Sequence, residues 1–291
     1  MMWQQKSFEE KEEGIGSLYL IPTPIGNLED MTFRAVKILK EVDVIAAEDT
    51  RQTKKLCLHF DIDTKLVSYH DHNKRGSGEK LLQTLREGRN VALVSDAGTP
   101  AISDPGYELV VDCLAEEISV IPLPGANAAI TALIASGLNT QHFYYYGFLN
   151  RQKKERKKEL EQLKNIQVPI IFYESPHRLE EMLKHVLEQL GDRKIAICRE
   201  LTKRYEEFIR GTISEVIEWS QSSQVRGEFC VVVDGASEVL LTEDVWWENL
   251  SLNEHVEHYI EEKQMSSKEA IKEVAKERQL PKRDVYAEYH K

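Results

Sequence analysis

Four loops carry the residue types that could do chemistry: Pro22-Thr23-Pro24-Ile25-Gly26-Asn27, Glu48-Asp49-Thr50-Arg51, Ser95 to Pro105, and Pro122-Leu123-Pro124-Gly125-Ala126-Asn127. Each follows a short apolar run that reads as a buried strand. Carboxylates sit at Glu48, Asp49, Asp96 and Asp104, and Arg51 adds a guanidinium. The small residues between them let a ligand approach the backbone closely. No loop pairs a nucleophile with a base, and none gathers a metal cage. Such a site is suited to holding two molecules together. Group transfer from a bound cosubstrate fits, because positioning supplies much of its catalysis. The central stretch runs from Val91 to Gly106, V-A-L-V-S-D-A-G-T-P-A-I-S-D-P-G. An ordinary βα connection needs only about 2–6 residues, so Ser95 to Pro105 is long for a linker. In open α/β sheets, ligands bind at the carboxyl ends of strands.

Several familiar sites are excluded. No G-x-x-x-x-G-K-[ST] occurs, and no lysine follows Asn27 to reach phosphates. No G-x-G-x-x-G opens the first strand–helix unit, so a Rossmann dinucleotide site is not expected. Neither G-x-S-x-G nor H-E-x-x-H appears. His70 and His72 have no nearby cysteine or third histidine, and read as solvated residues at a strand end rather than metal ligands. No metal is expected.

The elements that must position these loops follow from periodicity. Strands are expected at Leu18 to Ile21, Val42 to Ala47, Lys65 to Tyr69, Val91 to Val94 and Ile118 to Ile121, alternating with helices. That alternation points to a mainly parallel sheet. Asp30 is expected to cap the helix from Thr32, and Asp104 with Pro105 to open the helix bearing Leu109, Val110, Cys113 and Leu114. The Ala-rich helix Ala128 to Ser136 closes this half at Gly137. The second half begins at Phe143 to Leu149 and continues with strands at Val168 to Glu174, Lys194 to Leu201, Glu206 to Gly211 and Glu228 to Asp234. Some of these strands lack an intervening helix, so a mixed sheet is expected. Ser175-Pro176 opens a helix that Gly191 ends. After Trp246-Trp247, three short helices with a capping box at Ser266-x-x-Glu269 resemble a helix-turn-helix unit. The divisions are 1–16, a flexible arm; 17–140 and 141–240, two α/β parts; and 241–291, a helical tail.

Composition sets the outer limits. At 291 residues, 41% hydrophobic and 30% charged, the chain reads as a soluble globular protein with material for sizeable cores. No apolar run reaches membrane-span length, and Met1 to Gly16 has no secretory pattern. Cys57, Cys113, Cys198 and Cys230 are scattered, as reduced cytoplasmic thiols would be. A net charge of −11 argues against general nucleic-acid binding but allows a local basic patch. The patch would be Arg151 to Lys158, the most basic run in the chain.

Taken together, P-T-P-I-G-N-L-E-D, A-E-D-T-R, S-Y-H-D-H-N, S-D-A-G-T-P-A-I-S-D-P-G, P-L-P-G-A-N-A, F-Y-E-S-P-H-R, C-R-E-L-T-K and R-G-E-F resemble the tetrapyrrole-methylase superfamily of S-adenosylmethionine (SAM)-dependent methyltransferases. More closely they resemble its ribosomal RNA branch. The pieces span about 17 to 234 in order, and the tail is similar to that of the RNA branch. The resemblance implies two α/β domains with an active-site cleft between them, a small C-terminal three-helix unit, and a homodimer. It implies SAM as cosubstrate, held at Pro24, at Asp96, Ala97, Gly98, Thr99 and Ile102, at Pro124, Gly125, Ala126 and Asn127, and at Tyr173. The implied reaction is 2′-O-methylation of a cytidine ribose in the decoding region of bacterial 16S rRNA, on the assembled small subunit. Where tetrapyrrole enzymes tend to read G-D-P, this chain has Gly98-Thr99-Pro100, a departure that fits the RNA branch.

A ribose hydroxyl needs a base. Asp49 is the first candidate and Glu174 the second. Asp49 could instead cap the helix after Thr50, and Glu174 could instead hold the amino group of SAM or close the domains. Arg51 would bind phosphate, as would Arg151, Lys153, Lys154 and Arg156, whose alternative is a solvated helix face. Lys203-Arg204 and Lys282-Arg283 are weaker RNA candidates. Two other readings compete: a methyltransferase of a tetrapyrrole or other small molecule, and a helix-turn-helix regulator whose α/β part senses a metabolite.

Overall fold

The computed structural model describes residues 3–6, 14–222, 226–237, 247, 250–278 and 280–290. The chain forms two units, Met1–Glu238 and Val239–Lys291.

The first unit holds two five-stranded sheets. Sheet one comprises β1 (Leu18–Leu20), β2 (Val44–Ala47), β3 (Lys65–Ser68), β4 (Val91–Val94) and β5 (Val120–Pro122), ordered β3-β2-β4-β1-β5. All its pairings are parallel. Parallel strands covered on both faces read as continuous apolar runs, and β2 and β4 are buried throughout. Alternate residues serve opposite cores. Val91 and Leu93 pack with Leu81, Leu85 and Leu109 from α3 (Lys74–Arg86) and α4 (Tyr107–Ala115). Ala92 and Val94 pack with Ala35, Leu39 and Cys57 from α1 (Phe33–Glu41) and α2 (Thr50–His59).

Sheet two is mixed, as expected. It comprises β6 (Tyr144–Phe148), β7 (Ile170–Glu174), β8 (Lys194–Arg199), β9 (Glu207–Thr212) and β10 (Phe229–Val233), ordered β6-β7-β10-β8-β9. Only β6–β7 is parallel. Helices α6 (Lys153–Leu163), α7 (Pro176–Leu190) and α8 (Ile213–Ser222) cover one face through Leu160, Met182, Leu183 and Val216. The other face is covered by α5 (Ala128–Ser136). The sequence places α5 with the first half. Its Ala129, Ala132 and Leu133 instead pack on Ile171, Ala196, Cys198 and Cys230 of sheet two. Small residues on that stripe let the helix lie close to the strands.

Local signals decide most helix ends. Ser175 is the N-cap of α7 with Pro176 following, and Gly191 ends it. Two expected caps are displaced. Thr32, not Asp30, caps α1, with Oγ1 accepting the Ala35 N–H at 3.1 Å. Asp30 is taken up in a short 3₁₀ turn, Leu28–Asp30. Helix α4 starts two residues beyond Pro105, with Gly106 at its N-cap; Asp104 instead faces the cavity described below. In the arm, the Gln5 amide exchanges hydrogen bonds of 3.0 and 2.9 Å with the Val120 backbone, on the edge strand β5. Most of the expected flexible arm lies outside the described residues.

The second unit contains α9 (Leu252–Glu261), α10 (Ser267–Glu277) and α11 (Lys282–Tyr289), packed around Val256, Ile271, Val274 and Val285. Capping boxes open α9 at Ser251/Glu254 and α10 at Ser266/Glu269. The fully buried His255 approaches Glu277 with Nε2 at 3.0 Å and accepts from Arg278 Nε on Nδ1 at 3.1 Å. Trp247 stacks on it, while its neighbour Trp246 lies outside the described residues.

Candidate functional site

Sheet one brings the carboxyl ends of β2, β4, β1 and β5 side by side, and their loops are stitched together. Thr23 and Gly98 exchange two backbone hydrogen bonds of 2.9 Å, and Thr23 Oγ1 donates to the Ser95 carbonyl at 3.0 Å. Thr99 Oγ1 donates to the Ala126 carbonyl at 3.2 Å and accepts from Asn127 Nδ2 at 3.3 Å. The Gly125 Cα lies so close to Pro22 that a Cβ there would sit 2.7 Å from the proline ring. The Asp49 N–H donates to Asp96 Oδ1 at 3.0 Å. Short side chains and backbone pairing therefore build one platform from four separate loops.

Above the platform is a cavity of about 450 Å³, within the range of small-molecule sites. Asp96, Ala97, Gly98, Thr99, Ile102 and Asn127 line it from sheet one, and Tyr173 and Glu174 from sheet two. Eight sequence-derived residues thus meet in one space. Pro24, Pro124, Gly125 and Ala126 do not line it, although they belong to the loops that form the platform. Sequence reasoning assigned no cosubstrate or catalytic role to Glu48, Asp104, Phe148, Leu201, Lys203 and Phe229, which stand on its walls. The motifs A-E-D-T-R, C-R-E-L-T-K and R-G-E-F already contained four of them.

The cavity has an acidic end and a buried carboxylate. Burial first, then the charges of Asp104 and Asp96, pushes the Glu48 carboxyl above its ordinary range. Burial likewise raises Asp104. Glu174 is 3% exposed. Its Oε1 accepts the Ser175 N–H at 2.8 Å, and its Oε2 lies 3.5 Å from Arg178 Nη2 without a hydrogen bond among the described residues. Cys198 and Cys230 also line the cavity, but burial drives both thiols up, Cys198 to about 12, which leaves them unreactive.

Asp49 takes the capping role. Its Oδ1 accepts the Arg51 N–H at 2.8 Å and Nε at 3.0 Å, and Oδ2 accepts Nη2 at 2.7 Å. The Arg51 side chain holds the Asp49 carboxyl down at about 2. A carboxylate so engaged is a poor base, and neither residue lines the cavity.

Among the basic residues, Arg151, Lys153 and Lys154 are exposed on and before the first turn of α6. Arg156 corrects the expectation of a phosphate contact: it is 1% exposed, pairs with Glu181 at 2.7 Å, and donates from Nε to His185 Nδ1 at 2.9 Å. It is a buried strut between α6 and α7. Among the described residues, no group of three or more His, Cys, Asp or Glu gathers as a metal site would.

The sequence profile of the tetrapyrrole (corrin/porphyrin) methylases matches residues 17–217. The chain is 63% identical over 291 residues to "Ribosomal RNA small subunit methyltransferase I" of Bacillus subtilis (strain 168), covering 100% of this chain and 99% of that one. It is 60% identical over 289 residues to the protein of the same name from Halalkalibacterium halodurans, covering 99% of each. Among solved structures, a uroporphyrin-III C-methyltransferase from Thermus thermophilus, complexed with S-adenosylhomocysteine, aligns with TM-score 0.54 at 22% identity, over 75% of this chain and 97% of that one. A diphthine synthase aligns with TM-score 0.59 at 11% identity, over 75% and 90% of the two chains. These structural likenesses speak for the fold.

Proposed function

The chain belongs to the tetrapyrrole (corrin/porphyrin) methylase family, and from that premise we propose that it is a SAM-dependent methyltransferase of the small-subunit ribosomal RNA. In this reading it methylates the 2′-hydroxyl of a cytidine ribose in the decoding region of 16S rRNA, on the assembled subunit. The observation that carries the reading is the similarity to the rRNA methyltransferases over the whole chain, tail included. Against the regulator reading stands the methylase profile, which covers sheet one and extends through four strands of sheet two. The exposed cations Arg151, Lys153 and Lys154 favour an RNA substrate over a small molecule.

The cavity fits the cosubstrate on its own chemistry. Apolar walls at Ile25, Ile102, Phe148 and Leu201 suit an adenosine, and the close backbone of Ala97 to Thr99 suits its polar edges. Glu174 Oε2, buried with an open acceptor site, suits an ammonium group. SAM supplies a methyl group on a positively charged sulfur. The platform loops would hold the cosubstrate beside the RNA, and such positioning lowers the barrier without covalent chemistry. With SAM bound, Glu48, the raised and accessible carboxylate at the acidic end, would take the hydroxyl proton as the methyl group is transferred. Glu174 then positions rather than deprotonates, and Asp49 organises α2.

The proposed protein is cytoplasmic and works as a homodimer. The dimer is supported by an uncovered apolar stripe on α4, where Tyr107, Val111 and Leu114 are 69%, 43% and 44% exposed at helical spacing. Among the described residues no helix is long and apolar enough to cross a membrane.

The test is methyl transfer from labelled SAM to small subunits from cells lacking this gene, with naked 16S rRNA and large subunits alongside. Label confined to small subunits and mapping to a cytidine ribose is expected. Unlabelled subunits, with SAM binding intact, would overturn the RNA reading and leave small-molecule substrates.

A further inference from the structure

The loop after β4 adopts a costly conformation, and the structure contains what holds it there. Ala101 and Ser103 have φ of 64° and 62°, a left-handed region that non-glycine residues rarely occupy and that clusters at functional sites. Ser103 leans across the cleft to sheet two, where its hydroxyl lies 2.7 Å from the Tyr145 hydroxyl, in hydrogen-bond contact. The niche that receives it is built by a bulge. The β6–β7 register shifts between Tyr145 and Gly147, and Gly147 has φ of 83°. A Cβ on Gly147 would lie 2.8 Å from Ser103 Oγ and 3.4 Å from the Tyr145 hydroxyl. The contact continues inward. The Tyr145 and Tyr173 rings meet edge-to-face at 5.6 Å, and the Tyr173 hydroxyl accepts the Ala129 N–H of α5 at 3.0 Å. One line of contacts, hydrogen bonds at both ends and a ring contact between them, therefore joins the β4 loop, β6, β7 and the start of α5. Ser103 and Tyr173 on that line are cavity walls, as is Ala128 next to Ala129 at its end, whereas Tyr145 is not.

We infer that Tyr145 is a positioning residue. Through Ser103 it pins the strained 97–106 loop onto sheet two, and so sets the distance between the two walls that clasp the cosubstrate. This rests on the reading of the cavity as a SAM site. A phenylalanine would fill the same space, so the hydroxyl itself serves the loop rather than the core. Tyr145 touches no reactant, and its effect is on binding of the cosubstrate rather than on the chemical step.

The experiment compares wild type, Tyr145→Phe, Ser103→Ala and the double variant. SAM and S-adenosylhomocysteine affinities are measured by titration calorimetry, and kcat at saturating SAM with small subunits. Loss of one hydrogen bond to a strained loop weakens SAM binding and raises its KM by about three- to tenfold in each single variant. The double variant is no weaker than either single one, because both remove the same bond. In Tyr145→Phe, kcat stays within about twofold of wild type. Single variants that bind SAM as wild type does would overturn the inference while leaving the SAM reading intact. So would losses that multiply in the double variant, or a fall in kcat without a rise in KM. Failure of wild type to bind SAM would overturn the reading itself.

Discussion

A base for a ribose hydroxyl must be ionised and still free to take a proton. Asp49 meets the first condition only, since both its oxygens are committed to Arg51. Glu48, one residue earlier, faces the cavity and is raised by burial and by the neighbouring Asp104 and Asp96 charges. Its pKa lies above the ordinary glutamate value, so the ionised, active form is lost as pH falls through that raised value. Methyl transfer by wild type should therefore decline on the acid side from a midpoint above 4.5. Glu48→Gln should lower kcat by about 10²–10⁴-fold and abolish that limb. Asp49→Asn keeps an equally good helix cap and should stay within about tenfold of wild type. The reverse ranking in single-turnover assays would return the base to Asp49. The tetrad Glu48 to Arg51 was legible as a site, but its division of labour was not. Adjacent residues at a strand end point in different directions, and only the start of α2 decides which one turns inward.

At the scale of elements, α6 shows how composition can hide periodicity. Its run of cations reads as a uniformly solvated or RNA-facing strip. In the helix, Arg156, Leu160 and Leu163 fall on one buried stripe, and an arginine occupies a core position. Its guanidinium is accommodated because Glu181 and His185 on α7 meet it; burial and the Arg156 charge hold His185 below its usual range, neutral and able to accept. Two different outcomes follow for one run. Reversing the charge of Arg151, Lys153 and Lys154 should leave stability nearly unchanged and reduce the slope of log affinity against log salt by up to about 0.7–0.9 for each phosphate that is no longer neutralised. Arg156→Ala should leave the slope alone and destabilise the fold by about 2–4 kcal/mol in urea titrations. An unchanged slope in the first variant would remove α6 from the RNA surface. The capping box at Ser266/Glu269, the Ser175-Pro176 start and the Val91–Val94 strand were legible because each is a local signal. The packing of α5 on sheet two was not, because an all-apolar helix offers no face to read and most of its partner strands lie far along the chain, as Cys198 and Cys230 do.

The whole molecule divides the labour between its parts. That two sheets would face one cavity was legible only through the ordered motifs, since no local pattern in 17–140 names its partner in 141–240. Assembly and the tail make separate predictions. If the α4 stripe is the dimer surface, Val111→Asp with Leu114→Asp should convert dimer to monomer in sedimentation equilibrium, since two buried charges without partners cost more than such a contact returns. A monomeric wild type would exclude the homodimer. The tail's test follows from where the cavity walls lie. Every lining residue falls between Ile25 and Cys230, inside the first unit. The second unit has its own core, its own capping boxes and its own buried His255–Glu277–Arg278 network. A chain ending after Glu238 should therefore fold and bind SAM with an affinity within about twofold of the full chain. Calorimetric titration of the truncated chain decides it. Loss of SAM binding in a chain whose far-UV spectrum still reports both sheets would mean that the tail completes the site. Retained binding would confine the tail's contribution to substrate recognition or assembly, and the KM for small subunits would then separate those two.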